Sequence, residues 1–548
     1  MSKIRDKENN NFVNRQQVTF FIHTLGCRVN QYESDAIAQA LKNNGWFEIK
    51  TSEELECKRP NVAIVHTCAV TQEAARKSGQ LIRRMRNRFD ADMVVAIGCH
   101  VEVMHGKTAA DLSLGNKDKN KAADFIIESY AEYLRDKASE VNGENFDNNQ
   151  DDYRLDDFKI YADDQNSDLV KDKACTCGKY EDHCHCSSCD CTESSMDNIT
   201  NHKPESVNVG NIERVRFSPI IREETLVCNL PEQHRGQDIS FSDMGSVYRQ
   251  RGTRAYIKIQ DGCDMKCSYC TINKARGASR SRDFSSIIEE AKLLASRGYK
   301  DIVLTGIEVS AYGYDFKKLE NAKGLHLIDL IEALDKIDGV SRILLASLDP
   351  RVASLDFVQR AAKLNNFGAH FHLSLQSGSD SVLKRMRRAY NSNFYHEAVK
   401  RIYSYFPKAN ITTDLITGFP GETEEEHLES LDFCKKQEFS DFHVFPYSDR
   451  PGTEASLMPN KVDKNVAKRR LHEFEKLRDE LWQRRADLEL NEIHELLVEQ
   501  VNENGAIGYT KNYLPICVPN AKDSSLVGEI VKVLITGRDA NLLLAELC

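Results

Sequence analysis

The sequence predicts an α/β protein with three folded parts: an N-terminal parallel α/β domain, an incomplete (β/α)6 barrel and a small C-terminal β-barrel. Three observations lead there. Residues 18–100 three times repeat an apolar strand followed by a cysteine, six further β-like runs alternate with helical patterns between residues 255 and 445, and residues 490–548 turn to short strands broken by glycines. Alternating strands and helices imply parallel sheets, because parallel neighbours need crossover connections.

Residues 1–17 are polar and read as a disordered N-terminus, and residues 18–137 form the first domain, of the Rossmann or flavodoxin-like kind. Its strands are predicted at 18–22, 62–65 and 93–97, with Cys27, Cys68 and Cys99 just beyond their ends. Open parallel sheets bind ligands beyond the carboxyl ends of their strands, so all three thiols fall on the ligand edge.

Residues 138–245 read as an acidic, Cys-rich insertion that is mostly disordered, since too few apolar residues remain to offset the chain entropy of ordering it. Residues 139–200 hold 16 acidic against 5 basic side chains. The chain's net charge of −10 is therefore concentrated there, and basic stripes are free to exist elsewhere. The burst CTCGKYEDHCHCSSCDC contains Cys175, Cys177, Cys184, Cys186, Cys189 and Cys191 with His183 and His185. These donors suit a soft metal, although no spacing matches a standard finger and a solvated tether explains the composition better.

Residues 246–486 form the second domain, with strands predicted at 255–259, 302–304, 343–345, 371–375, 411–416 and 442–445. Six strands suggest an incomplete barrel with its site on the loops after the strands. A basic helix at 461–486 keeps Val466, Leu471, Phe474, Leu477 and Leu481 at roughly helical spacing. Residues 487–548 then form the last domain, with strands expected at 495–501, 509–518 and 527–534.

The 548 residues are 41% hydrophobic and 29% charged, and no apolar run is long enough to span a bilayer. With no secretory signal pattern at the N-terminus, the expected location is the cytoplasm, with no membrane partner. Seventeen cysteines cannot all pair, and in a reducing compartment clustered thiols more often ligate metal.

The sharpest motif is Cys263, Cys267 and Cys270, a CxxxCxxC triad on the loop after the first barrel strand. A [4Fe–4S] cluster normally takes four cysteines, so three leave one iron open to a cofactor or substrate. A structural zinc site or unrelated core thiols are the alternatives.

The triad, with an aromatic before its last cysteine, resembles the radical S-adenosylmethionine superfamily, and CSYCTINKARGASRSR (267–282) resembles its methylthiotransferase branch. Further matching blocks are TLGCRVNQYES (24–34), HTCAVTQEAARKSGQLIRR (66–84), AIGCH (96–100), SLQSGSD (374–380), TTDLITGFPGET (412–423) and FPYSDRPGT (445–453). The resemblance implies that Cys263, Cys267 and Cys270 are catalytic and hold a [4Fe–4S] cluster that cleaves S-adenosyl-L-methionine. It also implies that Cys27, Cys68 and Cys99 hold a second [4Fe–4S] cluster that handles the methylated sulfur. Gly306 and Glu308 follow the second barrel strand, where relatives place a loop near the methionine amine, although TGIE departs from the commoner form. Gln376, Ser377 and Gly378, with Gly418 and Gly421, suit close backbone approach to a cofactor, or simple turns. Ser374 and Asn273 stand where relatives usually carry proline.

Three basic groups point to RNA: Arg83, Arg84, Arg86 and Arg88; Arg276, Arg280 and Arg282; and Lys468, Arg469 and Arg470. Each alone is more readily a solvated face. The terminal barrel resembles the TRAM domain of tRNA-modifying enzymes, and the LGCRVNQYES form resembles the branch acting on N6-threonylcarbamoyladenosine 3′ of the tRNA anticodon. The resemblance thus implies tRNA as partner, an electron donor such as flavodoxin or ferredoxin, and a sulfur donor. The alternatives are another methylthiotransferase substrate, either isopentenyl-adenosine in tRNA or a ribosomal-protein aspartate, and a non-catalytic RNA- or metal-binding iron–sulfur protein.

Overall fold

The computed structural model describes residues 17–142, 240–318 and 324–548. The chain divides into one unit of residues 1–152 and 226–548 and a second of residues 153–225, which lies outside the described residues. The expected disorder of residues 1–16 and the cysteine and histidine donors at 175–191 also fall outside them. Residues 240–245, assigned from sequence to the insertion, are part of the packed body: Asp243 pairs with Arg282 at 3.1 Å, and Met244 packs on the N-terminal core.

The N-terminal sheet has five strands, in the order Phe47–Ile49, Thr19–Thr24, Val62–Thr67, Met93–Gly98 and Leu112–Leu114, and every pair is parallel. The two outer strands have three residues each, too short for a periodicity to show in sequence. This strand order is the flavodoxin-like one, and its direction of winding reverses between Thr19–Thr24 and Val62–Thr67. Cys27 and Cys68 follow those two strands, at the switch point. The core is a layered set of aliphatics, with Ile64, Val95 and Ile97 fully buried against helices Arg28–Asn43 and Ala122–Asn142.

The second domain is an open barrel of six parallel strands in two halves. One half runs Arg342–Leu345, Asp301–Thr305, Arg254–Lys258, and the other His370–His372, Asn410–Thr417, Asp441–Pro446. Single bridges, Ile343 to Phe367 and Leu348 to Leu373, join the halves. All six predicted strands are present. The fourth is cut to three residues because the chain beyond His372 leaves regular pairing toward Gln376, whose φ is +75°.

Helix Lys464–Asp487, capped by the Asp463 side chain, packs Phe474, Leu477 and Leu481 on the barrel and sends Trp482 and Ala486 into the core of the terminal domain. That domain is a closed five-stranded barrel in the order Ile493–Asn502, Gly505–Thr510, Pro515–Val518, Leu542–Leu547, Ile530–Asp539. The run expected at 509–518 is two strands, split by the turn at Tyr513, whose φ is +69°. This barrel docks on the first residues of the (β/α) strands. Arg342 donates to the carbonyls of Tyr509 and Glu495 at 3.0 and 2.8 Å, Arg254 pairs with Glu499 at 2.5 Å, and His370 stacks on Tyr513 with centroids 4.7 Å apart. The terminal barrel therefore braces the face opposite the triad loop.

Candidate functional site

The triad loop leaves the strand Arg254–Lys258 and is framed by the antiparallel pair Gln260–Asp261 and Arg280–Ser281. Gln260 fastens it to the next strand's loop: its amide nitrogen donates to the carbonyls of Asp261 and Gly262 at 3.0 and 2.8 Å, and its oxygen accepts from the backbone of Ile307 and Glu308 at 3.0 and 2.8 Å. A Cβ on Gly262 would lie 1.9 Å from the Ala278 carbonyl, so only glycine fits there. Backbone and side-chain donors reach the sulfurs. Ile272 N–H lies 3.4 Å from Cys270 Sγ, and Arg388 Nη1 3.2 Å from Cys267 Sγ. Burial pushes the Cys263 thiol up to about 12, and Cys270 shifts the same way. Thiols so placed need a metal to lose their protons at neutral pH, and donors on their sulfurs suit metal-bound thiolates.

Glu308 faces this triad. Burial and the negative charge of Asp349 raise its pKa to about 7, and its buried Oε1 has no hydrogen-bond partner. An orphaned carboxylate oxygen that senses the Cys263 thiol fits an ammonium such as the methionine amine of S-adenosylmethionine. Asp349 is buried between Arg351 at 2.6 Å and Arg388 at 3.6 Å. Sequence reasoning missed Arg388 and Asp349, and nothing in their spacing marks them.

The other predicted cofactor residues divide. A Cβ on Gly306 would meet Gln260 within 3.1 Å, so this glycine serves the Gln260 clamp. Ser377 and Gly378 face helix Glu424–Gln437: the Ser430 hydroxyl lies 2.9 Å from Ser377 Oγ and accepts from Gly378 N–H at 3.0 Å, and a Cβ on Gly378 would sit 2.7 Å from Phe433. Gly418, with φ +71°, has Ala467 where its Cβ would be, and Gly421 accepts from Arg385 at 3.2 Å. Gln376 holds a left-handed backbone rarely adopted outside glycine, its N–H bonded to the Asp414 carbonyl at 2.8 Å. Asn273, one of the positions without proline, donates to the Cys263 carbonyl at 2.7 Å, and the Ser374 carbonyl accepts from Tyr390.

The second triad is assembled by glycine–cysteine pairs at two strand ends. Gly26 and Gly98 take φ of +102° and +108°, and a Cβ on Gly26 would lie 2.8 Å from Cys68 Sγ. Cys27 and Cys99 each open a helix, Val70 N–H lies 3.4 Å from Cys68 Sγ, and Arg276 Nε donates to Cys99 Sγ at 3.3 Å. Burial raises the Cys68 thiol to about 11, with the charges of Cys27 and Cys99 adding to it. Among the described residues no three Cys, His, Asp or Glu converge as the ligands of a single ion do. Three thiols that sense one another electrostatically suit a shared iron–sulfur core. Arg450, near Cys270 and Cys68 and with a partnerless buried Nε, lies beside both triads.

The basic groups are corrected by their partners. Arg276 and Arg282 are buried in ion-pair networks, with Arg282 held by Glu290 and Asp243, and neither reaches solvent. Arg470 is buried on Glu422 at 2.8 Å, and Arg469 pairs with Glu424 and Glu473 at 2.7 Å. Arg86 and Arg88 are in surface pairs with Asp111 and Glu56, each worth only about 0–1 kcal/mol, so a phosphate can compete for them. Arg83, Lys464 and Lys468 are exposed and have no ion-pair partner among the described residues. Lys464 and Lys468 line a cavity of about 420 Å³ with Tyr447, Lys461, Asp449 and Gly418. Tyr447 reaches the triad loop through Phe419, 5.5 Å away edge to face, which contacts Tyr269 at 6.4 Å. The terminal barrel, by contrast, carries nine acidic and four basic residues over 488–548.

Comparison with known proteins agrees with this layout. Residues 257–434 match the radical SAM superfamily, 19–114 the uncharacterized protein family UPF0004, and 488–548 the TRAM domain. The chain is 31% identical to the threonylcarbamoyladenosine tRNA methylthiotransferase MtaB of Bacillus subtilis, covering 94% of this chain and 93% of that one, and 30% identical to its Aquifex aeolicus counterpart over 93% and 98%. It is also 30% identical, over 95% of both chains, to the tRNA-2-methylthio-N(6)-dimethylallyladenosine synthase of Natranaerobius thermophilus. Among solved structures it resembles the radical S-adenosylmethionine methyltransferase TsrM of Kitasatospora setae at 13% identity and TM-score 0.47, over 80% of this chain and 74% of that one.

Proposed function

The chain belongs to the radical S-adenosylmethionine tRNA methylthiotransferases, and from that premise we propose that it converts N6-threonylcarbamoyladenosine, 3′ of the anticodon, to its 2-methylthio derivative. The observation that carries the reading is the pair of thiol triads, one on the (β/α) loop and one on the N-terminal sheet edge, each with an arginine donor on one of its sulfurs. The residues present fit the implied groups. Cys263, Cys267 and Cys270 would hold the first [4Fe–4S] cluster with Glu308 toward the methionine amine, and Cys27, Cys68 and Cys99 the second.

When bound, the clusters and S-adenosylmethionine supply hydrogen abstraction at an unactivated aromatic carbon and a methylated sulfur to take its place. The chain supplies position and exclusion. Gln260 couples the triad loop to Glu308, Arg388 fixes Cys267, and the Tyr269–Phe419–Tyr447 cluster walls the site with apolar surface. Tyr447, Lys464 and Lys468 offer a stacking face and two cations to a nucleotide flanking the target. The terminal barrel supports the barrel floor and adds exposed Lys522 and Lys532, which have no ion-pair partner among the described residues, to the cations that phosphates can meet.

The chain is read as cytoplasmic, supplied with electrons by a flavodoxin or ferredoxin and with sulfur by a separate donor. No helix among the described residues is long and apolar enough to cross a membrane. Nucleoside analysis of tRNA from cells lacking the protein tests the substrate. The 2-methylthio-threonylcarbamoyl nucleoside is expected to vanish; its persistence with loss of the dimethylallyl counterpart would move the chain to the other branch.

A further inference from the structure

Between the N-terminal sheet and the (β/α) barrel lies a charge cluster shut off from water. Glu33 is fully buried and is met by Lys119, by Lys258 at 2.7 Å and by Arg276 at 3.0 Å. Asp261 joins it through Lys258 at 2.6 Å and Arg276 at 2.9 Å. The sixth member, His66, meets Ser34 at 2.8 Å and lies 3.4 Å from Glu33. Despite burial, Arg276, Lys119 and Lys258 hold Glu33 well below the usual carboxylate range.

Three cations against two carboxylates leave a buried positive excess, and Arg280, 3.7 Å from Asp261 at the rim, adds to it. Uncompensated buried charge is costly, so an anion is expected next to it. Arg276 shows where. A guanidinium has five N–H donors. Four go to Glu33 at 3.0 and 3.1 Å, Asp261 at 2.9 Å and Asn30 at 2.7 Å, and the fifth goes to Cys99 Sγ at 3.3 Å. Arg276 also ends the helix Ile272–Arg276 that follows the first triad, and that helix packs Ala275 on Cys99 and Ala69.

We propose that Arg276 is a positioning residue shared by the two centres: its N–H···S bond and the excess charge behind it make the second cluster easier to reduce, and its fork fixes that cluster's distance from the first. This rests on the reading of Cys27, Cys68 and Cys99 as cluster ligands. A cluster on three thiolates is anionic and gains negative charge on reduction, and hydrogen bonds and nearby cations favour the reduced form.

The test uses the full-length chain, anaerobically reconstituted with iron and sulfide, with Cys263, Cys267 and Cys270 changed to alanine so that one cluster remains. In this background Arg276→Gln removes the charge, and Arg276→Lys keeps the charge but loses the fork. Under EPR-monitored titration, Arg276→Gln is expected to lower the ratio of reduced to oxidised cluster about tenfold at a fixed potential, about 59 mV for a one-electron couple. Arg276→Lys should recover most of that shift. With the first triad intact, both variants should form more 5′-deoxyadenosine per methylthiolated nucleoside, because the fork no longer fixes the separation.

An Arg276→Gln chain that loads iron normally and titrates at the unsubstituted potential overturns the proposal. Equal loss of the cluster from both variants, in chains that melt normally, also overturns it by reducing Arg276 to a scaffold. Loss from Arg276→Gln alone supports the charge requirement. A chain with Arg276 intact that takes up no iron would instead overturn the two-cluster reading.

Discussion

The two triads are built in opposite ways. Cys263, Cys267 and Cys270 come from one loop, and their surroundings are three partly satisfied groups: Arg388 on a sulfur, Glu308 with an orphaned oxygen and Asp349 between arginines. Cys27, Cys68 and Cys99 come from three strand ends, and Arg276 beside them commits all five of its N–H donors, the last to Cys99 Sγ, while Asn116 Oδ1 and Arg450 Nε keep no partner. A centre that must admit a cofactor leaves polar atoms unpaired for it. A centre that must hold a fixed charge and distance commits its arginine fully to fixed partners. The first is open by local design, and the second is rigid because two domains meet on it.

The sharpest break of this comparison is to remove one sulfur from each side. Cys267→Ala is expected to abolish both 5′-deoxyadenosine and the methylthio nucleoside. Cys68→Ala should abolish only the nucleoside, as chromatography of the two products will show; loss of both in Cys68→Ala would mean that the centres are not separable.

Arg388→Met comes next. Partners behind metal ligands are worth about 10–100-fold, so 5′-deoxyadenosine formation should fall by that amount while the second cluster keeps its EPR signal. Glu308→Gln is expected to raise the KM for S-adenosylmethionine about tenfold or more, with a smaller change in kcat. Since the Glu308 pKa is raised to about 7, its carboxylate is lost as pH falls through neutrality. Affinity should weaken in that direction in the unsubstituted protein and stay flat in the variant. The smallest effect is the control: Lys464→Ala or Lys468→Ala should weaken tRNA binding and reduce the log–log salt slope by about one each, with both clusters unchanged.

Much of this architecture was legible in the chain. Each of the three inner N-terminal strands and the six barrel strands has a long enough apolar run to declare itself, and CxxxCxxC needs no tertiary information because its cysteines share one loop. The second triad was legible only in outline, as cysteines after strands. Part of its surroundings left a trace, since Cys27, Asn30 and Glu33 recur every three residues from the N-cap into helix Arg28–Asn43. The outer strands Phe47–Ile49 and Leu112–Leu114 were too short to read.

The basic residues show where local reading stops. Sequence places Arg276, Arg280 and Arg282 in one basic run, but Arg276 and Arg282 are sealed among carboxylates from other segments, whereas Lys464 and Lys468 remain free beside Tyr447. By itself the sequence determined the strand and helix pattern, the cysteine spacing and hence the chemistry, because these depend on neighbours along the chain. Only the tertiary structure decided which charges are spent, which carboxylate is left orphaned and that Arg276 touches Cys99. Those depend on partners brought together from distant positions, whose desolvation no local pattern records.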